Sequence, residues 1–125
     1  MEEEIKWRME GLAEDLDELP MAESYAERAK EDYEWAKEEA KGAQIGGEKW
    51  RVEQDNRVAW REAESRWRRL EERVAQATSE FKGLFGGVGN LTSWDGFTVL
   101  VLEGDEYLVN GVVVELGEAF LDAIA

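Results

Sequence analysis

The sequence predicts an α+β protein: a long antiparallel helical hairpin of coiled-coil type with an N-terminal helix, then a small three-stranded antiparallel β-meander and a short C-terminal helix. Three observations carry this. Between Glu48 and Lys82 there is neither proline nor glycine, and Trp60, Ala63, Trp67, Leu70, Val74, Ala77 and Phe81 recur at alternating steps of three and four. That heptad rhythm keeps one stripe of a helix facing a partner helix. Upstream, Ala22, Ala26, Ala29, Tyr33, Ala36, Ala40 and Ala43 keep the same rhythm, so a seam of methyl groups is available to meet a seam of large side chains. After Lys82 the pattern shortens into apolar runs separated by glycine-bearing turns, among them Asn110-Gly111, whose residues tolerate the positive φ of a two-residue hairpin.

Taken in order, residues 2–19 read as a first helix through Ile5, Met9, Leu12, Leu16 and Leu19. Leu19-Pro20 is expected to end or kink it, because proline lacks an amide proton and disfavours helical geometry in the residue before it. A second helix is expected over 21–44, a reversal at Gly42 to Gly47, and the long helix over 48–82. Matching the seams suggests a register in which Ala36 meets Trp60, Tyr33 meets Ala63, Ala29 meets Trp67 and Ala26 meets Leu70, with burial of Trp60 and Trp67 as the main stabilising event. Residues 83–96, rich in glycine, read as a connection. Residues 97–125 read as strands at Phe97–Leu102, Tyr107–Val109 and Val112–Leu116 with a closing helix at Glu118–Ile124, expected to pack as one unit with the helical region. The strand Thr98-Val99-Leu100-Val101-Leu102 is apolar on both faces, so a cover is expected on each side.

At 125 residues the chain is one domain's worth. It has no cysteine and no histidine, which excludes disulfides, thiolate or histidine-based nucleophilic catalysis and the usual zinc ligands. The acidic start, Met1-Glu2-Glu3-Glu4, and the lack of a long apolar run suggest a cytoplasmic protein without a membrane span. The glycine-rich stretch from Gly83 to Asn90 has no following Lys-Ser or Lys-Thr, so a phosphate loop is not expected. Glu103-Gly104-Asp105-Glu106 is too short to supply a calcium loop's oxygens and reads as an acidic hairpin tip. No catalytic residue, cofactor or metal is expected, and enzymatic activity is not.

The distribution of charge is more informative than its total of −15. Residues 1–42 carry fifteen acids and six bases, residues 43–82 eight acids and nine bases, and residues 83–125 seven acids and no base. The arginines of the long helix are interleaved with glutamates, so direct nucleic-acid binding is not expected; their role is to balance the acidic first half. Glu14, Asp15, Asp17 and Glu18, at the expected end of the first helix, would sit where the helix dipole disfavours them. Trp7, Trp35, Trp50 and Trp94 fall off the seams and read as partly covered helix surface or as anchors for a partner.

The function expected is therefore a non-enzymatic acidic protein-binding module, including the phage-type inhibitor that imitates nucleic acid and occupies a basic, nucleic-acid-binding surface of its target. The residues expected at the contact are Trp94, Asp95, Glu103, Asp105, Glu106, Glu115, Glu118 and Asp122. The alternative is a homo-oligomeric structural or assembly protein, a homodimer among them, built on the hairpin and the apolar strands.

Overall fold

The structure, a computed structural model, describes residues 2–94 and 96–125, with the side chains of all but Glu2 and Trp94. In chain order it contains α1 (Glu2–Glu39), α2 (Glu48–Leu84), β1 (Leu91–Trp94), β2 (Phe97–Val101), β3 (Glu106–Val109), β4 (Val112–Glu115) and α3 (Glu118–Ile124). The fold is α+β. By backbone proximity the chain divides into two units: the segment up to Asp17 together with Glu72–Ala125, and Glu18–Glu71.

One helix replaces the expected two before the hairpin turn, because α1 runs through Pro20 without interruption. An interior proline removes one i to i−4 hydrogen bond and crowds the carbonyl of the preceding turn, at a cost of about 3 kcal/mol. The apolar stripe nevertheless crosses it, since Leu19 and Ala22 are three residues apart. Breaking the helix there would sacrifice several bonds to spare one. The concern over the acids at residues 14–18 lapses with the expected helix end, since they lie mid-helix, where the dipole effect is small. Asp15 accepts two hydrogen bonds from Arg73, at 3.0 Å from Nε and 2.7 Å from Nη2.

Within Glu18–Glu71 the two long helices form an antiparallel hairpin. Ala26, Ala36 and Ala40 of α1 are buried, as are Ala63 and Leu70 of α2. The register differs from the expected one. Helix α1 ends at Glu39 and α2 begins at Glu48, which centres the reversal on Ala43-Gln44, inside the expected Gly42 to Gly47 segment, whereas pairing Ala36 with Trp60 would need a centre at Glu48. Accordingly Trp35, Ala36 and Glu39 border one depression with Glu48, Lys49 and Val52, and Ala22 and Tyr25 border another with Ala63, Arg66 and Leu70. Trp60 and Trp67 are half-buried rather than central. Trp60 stacks on Tyr33 with ring centroids 5.3 Å apart and planes 14° apart. Side chains on a helix lean toward its N-terminus, so on antiparallel helices these two lean toward each other.

The apolar core of the other unit gathers Ile5, Met9 and Leu12 from α1, Val74, Phe81 and Phe85 from α2 and the segment after it, Val99, Val101, Tyr107 and Val109 from the strands, and Phe120 from α3. Phe81 meets Phe85 and Phe120 edge to face at centroid distances of 5.2 Å, and Tyr107 meets Phe120 at 5.4 Å, the geometry that sets ring edges against ring faces. The sheet is a four-stranded antiparallel meander in the order β1-β2-β3-β4. The expected three-stranded sheet omitted β1, which lies within the segment read as a connection. That connection is tightly turned: the Gly87 amide donates to the Lys82 carbonyl, and the Gly89 amide to the Val101 carbonyl at 2.7 Å. Glycine is required at Gly86, where φ is +84° and an added Cβ would lie 2.5 Å from the Asn90 side chain.

Candidate functional site

The candidate site is built on the sheet, and the register decides what its two faces carry. Asn110 has φ 50° and Gly111 φ 83°, the two-residue turn the Asn-Gly dipeptide favours, closing β3 on β4 with Val109 opposite Val112. Asn110 also ties this turn to β2, its Oδ1 accepting the Thr98 amide at 2.9 Å. Because strand side chains alternate, Val99, Val101, Tyr107 and Val109 point into the core while Leu100 and Leu108 point away from it. Leu91 pairs with Leu100, Leu100 with Leu108 and Leu108 with Val113. One apolar row thus crosses all four strands on the outward face; at its ends Leu91 is 63% and Val113 56% exposed.

Next to this row, at one end of the sheet, carboxylates gather. Glu106 of β3 stands directly opposite Glu115 of β4, and both are exposed. Like charges placed so are unfavourable in the free protein. Glu103 and Asp105 lie in the turn between β2 and β3, which is held down by the Leu116 amide donating to the Asp105 carbonyl at 2.8 Å. Lys82 reaches this turn and donates to the Gly104 carbonyl, and no lysine or arginine follows it in the sequence. At the other end of the sheet the row is bordered by Ser93 and Thr98, paired across β1 and β2. Among the described residues the rim is acidic on one side and neutral on the other.

Beneath the outward face, Tyr107 is fully buried, and its hydroxyl has no hydrogen-bond partner. Burial, and secondarily the Asp105 carboxylate, push its phenol well above the ordinary tyrosine range. It stays neutral at any physiological pH.

Of the residues expected at the contact, the structure brings together Glu103, Asp105, Glu106 and Glu115. Glu118 opens α3 and Asp122 lies one turn later on the same helix, which packs through Phe120 on the core side of the sheet. Those two carboxylates belong to a different layer from the outward row. Trp94 ends β1 opposite Phe97, at the far end of β2 from the acidic turn; its side chain, like the whole of Asp95, lies outside the described residues. The outward leucines were absent from the expected contact, although the two-sided apolarity of residues 98–102 was their signal. No family model matches the chain, and none of the curated proteins or solved structures compared with it matches either. Among the described residues no group of three or more acidic side chains is placed to hold a metal ion, and no helix is long and apolar enough to cross a membrane.

Proposed function

We propose that this chain is a non-enzymatic acidic protein-binding module whose C-terminal sheet engages a basic surface of another protein, of the kind that otherwise binds nucleic acid. The observation that supports this reading best is the pairing of Glu106 with Glu115, neither of them in an ion pair among the described residues, beside Glu103 and Asp105. A protein gains nothing in its free state from opposing two carboxylates, whereas a partner's lysine or arginine set between them is attracted by both. The net charge of −15 adds long-range steering, which quickens encounter with a positive surface and is screened by salt. By this reading the module acts as an inhibitor that imitates nucleic acid, in the manner of phage-encoded proteins acting in the host cytoplasm.

The test is competition. A purified basic nucleic-acid-binding protein loaded with labelled DNA should lose that DNA to the chain at low salt, and the Glu106→Gln/Glu115→Gln variant should compete less well. Competition that is indifferent to salt, or equal for the variant, defeats the reading.

A second reading, a homo-oligomer built on the hairpin, is favoured by one observation. Met21 and Tyr25 are neighbours on one side of α1 and are 66% and 68% exposed, and Trp35, further along the same side, is 63% exposed, apolar surface that a second copy of the helix could cover. Light scattering across a concentration series separates the two readings, since a strict monomer removes the second.

A further inference from the structure

The outward row of the sheet extends the proposed function and rests on it. We infer that the row Leu91, Leu100, Leu108 and Val113 is the seat of a basic amphipathic segment of the partner protein, its apolar residues on the row and its lysines or arginines over Glu106 and Glu115. The register makes the row continuous, because each of its residues is directly opposite the next. With strands about 4.8 Å apart the row spans about 14 Å, the length of roughly nine helical residues. A stripe of apolar side chains recurring every three or four residues over that length covers it.

Charge chooses the occupant. Residues 83–125 contain seven acids and no base, so the strands of a second copy laid face to face would bring no cation to Glu106 and Glu115. A segment whose bases line the flank over Glu106 and Glu115 meets carboxylates there, which also favours one direction across the strands. The apolar row supplies the contact that persists when salt screens the charges.

The experiment titrates the isotopically labelled full chain with three synthetic peptides. One is helical, with a leucine stripe flanked on one side by lysines; the second has the same composition scrambled so that no stripe forms; the third carries lysine alone. The expected result is that the striped peptide shifts the amides of strands β1 to β4, and binds about tenfold more tightly than the scrambled one. The Leu91→Ser/Val113→Ser variant, altered only at exposed edge positions, should lose that advantage while keeping its circular dichroism spectrum. The Glu106→Gln/Glu115→Gln variant should lose affinity at low salt and little at high salt.

Equal binding of all three peptides with strong salt dependence overturns the apolar seat and leaves the acidic-module reading standing. Failure of every lysine peptide to bind defeats both. Shifts confined to residues 18–71 place the contact on the hairpin and overturn the inference. Self-association of the free chain that the Leu91→Ser/Val113→Ser variant abolishes assigns the row to a second copy, and overturns it equally.

Discussion

Tyr107 packs its ring edge to face against Phe81 and Phe120, and its buried hydroxyl has no hydrogen-bond partner. An unmade buried hydrogen bond costs about 1–3 kcal/mol, so Tyr107→Phe should stabilise the chain by about 1 kcal/mol in urea unfolding. The same change has a pH signature. Below the ordinary tyrosine value of 10.0 both folded and unfolded chains keep the proton, and the residue contributes no pH dependence. Above it the unfolded chain ionises first, because folding holds the phenol's value higher, and stability falls by up to about 1.4 kcal/mol per pH unit. The alkaline limb of stability against pH should therefore be shallower in Tyr107→Phe than in the parent. Burial also ranks the aromatic residues in a way that the heptad pattern does not. Phe81, 1% exposed at the centre of the core, should cost about 3–5 kcal/mol when truncated to alanine. Trp60, half-buried and stacked on Tyr33, should cost less. Parallel denaturation of Phe81→Ala and Trp60→Ala checks the order. Periodicity identified both as facing inward, but how much matter closes over a stripe depends on elements distant in sequence.

At the scale of elements, helix α1 departs most from what local rules suggest. Pro20 sits inside it with its surface exposed, so Pro20→Ala should restore a hydrogen bond without disturbing packing and stabilise the chain by about 2–3 kcal/mol, read as a rise in melting temperature. The seam's passage across Pro20 was visible in the spacing of Leu19 and Ala22 and outweighs the local signal, since a continuous stripe is served by a continuous helix. Hairpin register was less legible because a heptad rhythm repeats, and neighbouring registers satisfy it almost equally; the length of the turn from Ala40 to Gly47 breaks the tie. Strand β1 hides for another reason. Leu91-Thr92-Ser93-Trp94 is short and follows glycines, although Asp95-Gly96 belongs to the same class of dipeptide as the Asn110-Gly111 that marked the β3–β4 turn. Across β3 and β4, Glu115→Gln should relieve the opposition to Glu106 and raise the melting temperature by a few degrees at most, while weakening capture of a basic partner. A purely structural glutamate would show neither the gain nor that loss.

For the whole molecule, charge dominates. With a net −15 and acids outnumbering bases two to one, self-repulsion opposes folding at low ionic strength. Added sodium chloride should raise the melting temperature by several degrees, most of it below about 0.15 M, where the screening length is still longer than about 8 Å. The same salt should weaken binding to a basic partner, so stability and affinity are expected to move in opposite directions along one titration. The amino-acid order alone settled the apolar seams, the Asn-Gly turn and the absence of bases after Lys82, because each is a property of near neighbours or of composition. Only the folded structure decided that Glu106 opposes Glu115, that four apolar residues line up across the outward face, and that Tyr107 is sealed without a partner. Those are pairings between strands, and a strand's sequence does not state which residue of another strand it will meet.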